Sequence, residues 1–400
     1  MNRRVLFSVF GSGGDVLPLV EIASHLRELG HEVRFALPRF LTVLLRTHRF
    51  PVHGIGGGRE MQFFHDPDVV TTRFDGWASW RTTTERFVAP SLRDDVEVLE
   101  GIFRTWRPDV VVAGTFAVAA RIASDRCGVP CLDVAIYPQH VPRLLEAGGF
   151  AHSLRAAIGA MTGDPARSPR VGAYAWGARR ERIMLHDPAV LPRPIASETV
   201  VGFPSSGEAP TSEAFERAVS WMSDGTRPLI LATLGSFLGL TQQQAWTSVL
   251  EAARTLGVRV VLTGPGASRL ESHPNFDPQT CRTLGFAPLA RLMPMADAVV
   301  HHGGIGTMFT QLRSGRAALV LPQGYDQPWN ARTIERLNVG LDGSNRPVKH
   351  SLEELLSDER YTTCSQQIAT RLVTGEQAIE RAVAAILALC SGRDGGWKTR

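Results

Sequence analysis

Apolar residues along this chain fall in short, nearly unbroken runs, and each run is followed by a stretch with helical spacing. "RVLFSVF" (4–10) is such a run, the mark of a strand covered on both faces. "GSGGD" follows as a loop. Pro18 suits the first turn of a helix through "LVEIASHLREL", which Gly30 ends. "HEVRFALP" is the next predicted strand. Later, "PDVVVAG", "AVAARIASDRCG" and "VPCLDVAIY" predict strand, helix and strand. Such alternation implies a parallel sheet with helices on both faces.

The pattern breaks from about Arg59 to Glu100. Phe63, Phe64, Phe74, Trp77, Trp80 and Phe87 lie there with no clean period. Residues 140–195 are also irregular and rich in Arg and Pro. Long insertions on an α/β scaffold often carry binding function. "GFPSSGEAPTSEA" (202–214) has the composition of a linker. After it the alternation resumes: "PLILATLGS", "QQAWTSVLEAARTLG", "RVVLTG", "ADAVVHHGG", "AALVLP" and a helix from about Asn330. The expected division is a first domain over 1–203, a linker over 204–213 and a second domain over 214–375. A helical segment over 376–400 remains, free to pack back on the first domain.

The chain has 400 residues, 44% of them hydrophobic, enough for two domains with separate cores. A net charge of +4 raises nucleic acid as a partner. Its 43 basic residues include only two lysines, Lys349 and Lys398, and they are scattered. That argues against a phosphate-binding stripe. The five cysteines are odd in number and form no CxxC pair, so neither a disulfide framework nor a zinc site is expected. The apolar run in "MNRRVLFSVFGSGG" is too short for a signal peptide and ends in glycines. No run approaches the ~18 apolar residues of a membrane span. A cytoplasmic protein is expected.

Two glycine-rich loops carry the candidate chemistry. In "VFGSGGDVLP", Gly11 and Gly13 have dinucleotide-fingerprint spacing, but Val16 stands where the third glycine belongs. The second strand ends in "ALPRF", with no acid for a ribose. Arg39 keeps an NADP-dependent oxidoreductase open as an alternative. Asp15 is either a helix cap or a carboxylate facing a cleft. "HHGGIGT" (301–307) follows a strand and precedes a helix. Glycines there let backbone N–H groups approach an anion, and a helix N-terminus favours negative charge. A histidine adds a donor and Thr307 a hydroxyl. The alternative is a tight turn with two buried histidines.

The segment "GFAPLARLMPMADAVVHHGGIGTMFTQLRSGRAALVLPQGYDQPWNARTIERL" (285–337) resembles the donor-binding segment of family 1 nucleotide-sugar-dependent glycosyltransferases of the GT-B fold. "GSGGDVLPL" resembles the start of one branch of that family, which holds sterol and glycopeptide-antibiotic glycosyltransferases and the rhamnosyltransferase of rhamnolipid synthesis. "VVVAGTFAVAARIASDRCGVP" is similar to the last of these. The resemblance implies an α/β fold of two Rossmann-like parallel-sheet domains facing across a cleft. It implies a nucleotide sugar and a small-molecule acceptor as partners and no cofactor, beside the absence of a nucleic-acid partner and of a membrane span expected from charge and hydropathy.

The resemblance also assigns residues. His302, Gly304, Gly306 and Thr307 fall on the diphosphate-contacting positions, with Gly303 beside them and Gly13 and Gly14 on the other loop. Phe286 falls where an aromatic ring meets the nucleobase. Ser236 lies on a loop that meets the phosphates. Asp326 and Gln327 fall on the pair that grips sugar hydroxyls, for which carboxylate and amide are suitable partners. Asp15 falls on the catalytic base position. It would take the proton from an acceptor hydroxyl while the diphosphate leaves from the opposite face, inverting the sugar. A free Asp, with a pKa near ~3.9, is a poor base, so burial would have to raise it. No metal is required, and "DPD" (66–68) is expected to be a solvated turn.

Two departures stand out. Histidine-based relatives pair their base with an acid where this chain has "VVVAGTF", which contains none. The family's ribose-binding glutamate is replaced by Thr310, which points to a deoxyribose donor such as a thymidine diphosphate sugar rather than a uridine one. Gln311 beside it is the possible substitute. For the acceptor, the aromatic insertion with Trp77 and Trp80 is either a pocket lining or core, and His140 and Arg143 lie just past a strand end. The expected acceptor is a hydroxyl of a bacterial secondary metabolite or a lipid-like compound. The alternatives are the oxidoreductase, a non-catalytic GT-B auxiliary protein and a sugar-nucleotide epimerase.

Overall fold

The computed structural model describes residues 2–57, 82–136, 181–192, 199–205, 212–225, 227–235 and 243–391. The chain forms two compact units. One comprises Met1–Ser206 with Val373–Arg400, the other Gly207–Leu372.

In the first unit the strands are β1 (Arg4–Ser8), β2 (Glu32–Pro38), β3 (Val52–Ile55), β4 (Val110–Ala113), β5 (Cys131–Ala135), β6 (Arg182–Met184) and β7 (Thr199–Val200). They pair in the order β3-β2-β1-β4-β5-β6-β7, all parallel. Val5, Leu6 and Phe7 of β1 are fully buried, which is why the run shows no alternation. Helix α1 (Gly13–Glu28) begins earlier than Pro18 predicted. Ser12 caps it, and Pro18 sits inside it, costing the bond to the Gly14 carbonyl. The stretch expected to be irregular contains helix α2 (Leu92–Trp106). Its stripe of Leu92, Val96, Leu99, Phe103 and Trp106 has the three-to-four spacing that packs on a sheet, a period masked by the aromatics before it. Helix α3 (Val118–Cys127) follows β4.

The second unit contains α4 (Glu213–Ser223), β8 (Leu229–Thr233), α5 (Gln243–Leu256), β9 (Arg259–Thr263), β10 (Cys281–Leu284), β11 (Ala298–His301), α6 (Ile305–Ser314), β12 (Ala317–Val320), α7 (Gln327–Arg336), β13 (Gly340–Asp342), α8 (Val348–Ser357) and α9 (Glu359–Ala369). Its sheet is parallel throughout, in the order β10-β9-β8-β11-β12-β13. Successive residues of its strands enter opposite cores. Ile230, Ala232 and Val300 join one cluster, and Leu229, Leu231 and Val299 join the other. Both faces are therefore covered, as a parallel sheet requires.

The last helix, α10 (Gly375–Ser391), belongs to the first unit and packs against α1. The Asp187 carboxylate accepts the Val373 N–H at 2.7 Å, and Gly202, at φ +100°, leaves the space that Val373 and Ala378 fill. No described helix is long and apolar enough to cross a membrane.

Candidate active site

In the second unit the loops leaving the C-terminal ends of neighbouring strands touch one another. The His302 imidazole lies against Gly235, after β8. A Cβ on Gly264, after β9, would lie 3.6 Å from the Gly235 carbonyl. The Gly264 N–H and the Thr263 hydroxyl both donate to the Gly285 carbonyl, after β10, at 3.1 and 2.8 Å. Phe286 follows directly, and its ring is 79% exposed. A large apolar ring left in water beside glycine loops is a ready platform for a planar ligand. Open parallel sheets bind ligands at this strand edge.

At the centre is the 301–307 loop. Gly304 is the N-cap of α6 and carries no side-chain cap. The first intrahelical bond runs from Met308 N–H to the Gly304 carbonyl. The amides of Ile305, Gly306 and Thr307 thus have no helical acceptor and present the positive end of the helix. Thr307 is half-buried at the same turn. Gly303 adopts φ +86°, and a side chain there would strike Val320 and the backbone of Gln327.

The two histidines divide the work. His301 is fully buried, and its Nδ1 accepts the Gly303 N–H at 3.0 Å. Its proton therefore sits on Nε2, which is buried with no hydrogen-bond partner among the described residues. Desolvation pushes its pKa down to about 3. His302 is half-buried, with its Nε2 end in the space left by Gly235 and Gly304. Burial lowers its pKa to about 4; Nδ1 makes no well-formed hydrogen bond, and the Thr233 backbone offsets the desolvation only in part. His302 is thus a neutral ring at pH 7. A neutral imidazole offers one N–H and one lone pair, so it can meet a ligand without carrying charge.

After β12, the loop 323–326 closes the other side. The Gln327 amide oxygen accepts the Gln323 N–H at 2.7 Å, and the residue is buried. Its amide nitrogen is the group it can offer outward. Asp326 is the N-cap of α7, and one carboxylate oxygen accepts from Asn330 Nδ2 at 2.8 Å. The same nitrogen donates to the Gly303 carbonyl at 2.7 Å. Sequence reasoning passed over Asn330. Its signal was the four-residue spacing from Asp326, which puts both on one helix face.

Thr310 donates its hydroxyl to the Gly306 carbonyl at 2.9 Å. Gln311 cannot replace a ribose-binding carboxylate here. It is fully buried and its amide nitrogen bonds the Arg316 carbonyl, because its helix position points into the core. That corrects the reading of Gln311 as a substitute.

In the first unit Asp15 is 6% exposed at the third position of α1. One carboxylate oxygen accepts from Ser12 N–H at 2.6 Å and from Ser12 Oγ at 3.0 Å. The Ser12 hydroxyl in turn accepts from Gly14 N–H at 3.2 Å. This is a capping box. Gly13 is the first helical residue. Gly11, at φ +149°, must lack a side chain, since a Cβ would collide with the Asp15 carboxylate. The acid-free segment after β4 is held instead by Arg121. Its guanidinium donates to the carbonyls of Gly114 and Thr115 and pairs with Asp133 at 2.7 Å, all fully buried.

Phe87 of the aromatic insertion is core. It lines a cavity of about 20 Å³ with Phe10, Ile55, Leu92 and Phe116, room for about one water molecule. Ser236, Trp77, Trp80, His140, Arg143 and the 66–68 triplet lie outside the described residues.

Residues 5–132 match the family model for the glycosyltransferase family 28 N-terminal domain. Residues 247–386 match the model for the C-terminal domain of erythromycin biosynthesis protein CIII-like proteins. The chain is a GT-B glycosyltransferase. The 3-alpha-mycarosylerythronolide B desosaminyl transferase of Saccharopolyspora erythraea is 26% identical to it, over 84% of this chain and 86% of that one. The O-mycaminosyltylonolide 6-deoxyallosyltransferase of Streptomyces fradiae is 26% identical, over 95% and 96%. A solved structure of the spinosyn rhamnosyltransferase complexed with thymidine diphosphate shares the fold, with a TM-score of 0.73 and 19% identity over 96% of this glycosyltransferase and all of that chain. The resemblance to family 1 stands, and the oxidoreductase and auxiliary-protein alternatives fall away.

Proposed function

We propose that this glycosyltransferase moves a sugar, with inversion, from a thymidine diphosphate donor to a hydroxyl of a small-molecule natural product. The observation that carries the donor half is the uncapped N-terminus of α6 behind a glycine loop, with neutral His302 beside it. These groups meet a diphosphate with N–H donors and no cation of their own. Charge that builds on the leaving oxygens is stabilised by dipoles already in place. The base-stacking role of Phe286 rests on its exposure next to that loop.

The thymidine preference rests on Thr310 and Gln311. One hydroxyl is spent on the Gly306 carbonyl and one amide is turned into the core. Neither presents a carboxylate to a ribose 2′-hydroxyl, so a deoxyribose loses nothing. The bound thymidine diphosphate of the spinosyn enzyme and the antibiotic-related names of the relatives support the same donor and acceptor classes.

Asp15 is the proposed general base. Its carboxylate takes the acceptor hydroxyl proton, the acceptor oxygen bonds to the anomeric carbon, and the bond from that carbon to the β-phosphate oxygen breaks with its electron pair. The Ser12 cap holds the carboxylate in one orientation, which suits a base that must meet a single proton. No metal takes part in this scheme, so a chelator should leave turnover unchanged.

The deciding experiment pairs ligand binding with turnover. Thymidine diphosphate should raise the melting temperature more than uridine or guanosine diphosphate, and NADPH should not raise it. Asp15→Asn keeps an oxygen to accept from Ser12 and removes the base. Its turnover should fall by roughly 10²-fold or more with little loss of stability. Protection by uridine diphosphate alone would overturn the donor, and an active Asp15→Asn would overturn the base.

A further inference from the structure

We propose that Thr263 is a positioning residue whose buried hydroxyl fixes the Gly285–Phe286 peptide and so aims the Phe286 ring at the nucleobase. The inference deepens the donor site and rests on the assignment of that ring to the base. Phe286 is 79% exposed, so side-chain packing does little to hold it. Its direction must come from the backbone that carries it. Leu284 and Ala287, on either side, are buried in one core cluster, and the chain lifts out of that core at Gly285 and Phe286. A peptide unit after glycine turns more freely than others, because no Cβ restricts it. An added Cβ at Gly285 would meet nothing within 4 Å, so its surroundings do not restrain it either.

The restraint comes from the neighbouring strand. Thr263, the last residue of β9, is 1% exposed and donates its hydroxyl to the Gly285 carbonyl at 2.8 Å. The Gly264 N–H adds a longer bond to the same carbonyl at 3.1 Å and is shared with the Leu284 carbonyl, also at 3.1 Å. The hydroxyl makes the shorter bond of the two, and it is not shared. The peptide is planar, so the Gly285 carbonyl and the Phe286 N–H turn together. Holding that carbonyl sets the direction of the Phe286 N–Cα bond, and hence the side on which the ring leaves the chain. A ring already aimed loses less freedom when a base stacks on it. Removing the hydroxyl leaves the carbonyl with the Gly264 N–H, so the loop keeps its fold while the ring loses its aim.

The test has one arm without ligand and one with it, both on the full-length protein. In the first, glycine carries 13C at the carbonyl and phenylalanine carries 15N, so that only Gly–Phe pairs give an NMR signal. Phe286→Ala identifies the signal of Gly285–Phe286. Thr263→Val should move its carbonyl shift upfield, the direction of a lost hydrogen bond, and leave the Gly202–Phe203 signal in place. Thr263→Ser, which keeps the hydroxyl, should stay near wild type. An unmoved signal in Thr263→Val overturns the proposal. Thr263→Ala gives the same comparison should Thr263→Val fail to fold. In the second arm, calorimetry compares thymidine diphosphate with inorganic pyrophosphate, which has the phosphates and lacks the base. Thr263→Val should weaken thymidine diphosphate at least fivefold and pyrophosphate less than twofold, and Thr263→Ser should bind both as wild type does. In the Phe286→Ala background, Thr263→Val should add less than twofold. Equal weakening of both ligands, or the full loss without the ring, means a purely structural residue and overturns the proposal. Wild-type protein that binds neither ligand, or Phe286→Ala that binds thymidine diphosphate as wild type does, overturns the donor reading instead, whatever the carbonyl signal shows.

Discussion

Alanine at two adjacent glycines of the 301–307 loop should have opposite consequences. Gly303 sits at φ +86°, and a Cβ there would lie 2.8 Å from Val320 Cγ1 and 3.1 Å from the Gln327 carbonyl. Neither neighbour swings aside, since one is a short branched side chain on β12 and the other is backbone. A left-handed non-glycine residue costs about 1–2 kcal/mol. Overpacking adds about 1–3 kcal/mol. Gly303→Ala should therefore destabilise by about 2–5 kcal/mol, a melting shift of about 4–20 °C for a unit of this size. Gly304 has φ −59° and ψ 139°, open to any residue, and the atoms nearest its Cβ would be the Nε2 end of the His302 imidazole, a side chain that can shift. Gly304→Ala should lose less than ~1 kcal/mol of stability. It fills the space beside His302, so thymidine diphosphate should bind at least tenfold more weakly, about 1.4 kcal/mol. Differential scanning fluorimetry and calorimetry on both variants decide the matter. Equal melting shifts, or wild-type affinity in Gly304→Ala, would refute the reasoning.

Phe286→Ala should leave the melting temperature unchanged, because the ring is exposed, while calorimetry shows a loss of about 1–3 kcal/mol in nucleoside diphosphate affinity; unchanged affinity would remove the ring from the site. Both loop histidines have pKa values below the ordinary 6.5, at about 3 and about 4. The unfolded chain therefore binds protons first, so stability is full above pH 6.5 and falls as pH drops from there toward 4 and 3, by up to about 1.4 kcal/mol per pH unit for each histidine. Urea unfolding from pH 7 to 4 should show that decline, and His301→Gln should flatten it; parallel curves would count against the assignment. Arg121→Met leaves Asp133 buried and unpaired and should cost about 3–5 kcal/mol in the same assay. The double change Arg121→Met with Asp133→Leu should recover much of that, and no recovery would mean that the loop carbonyls of Gly114 and Thr115, rather than Asp133, dominate.

The sequence by itself determined the strands and the chemistry of the loops. A buried parallel strand must be apolar on both faces, so "RVLFSVF", "PLILATLGS" and "ADAVV" were legible from composition alone. Glycines at 303, 304 and 306 before a helix announced an anion loop for a local reason, the free amides of a helix start. Tertiary structure decided which side chains serve that loop. His301 and His302 are neighbours in sequence, yet the strand turns one into the core to hold Gly303 and leaves the other beside two glycines. Gln311 sits next to Thr310, but helix rotation buries it. Asn330 became part of the site only when α7 docked behind the loop, and Arg121 took over the β4 loop from a helix that follows it. These are contacts between elements, and hydrophobic periodicity along the chain does not encode which of them meet. Helix α2 shows the same limit from the other direction. Its stripe is regular, but the aromatics preceding it in sequence hid the period until the sheet it packs on was in view.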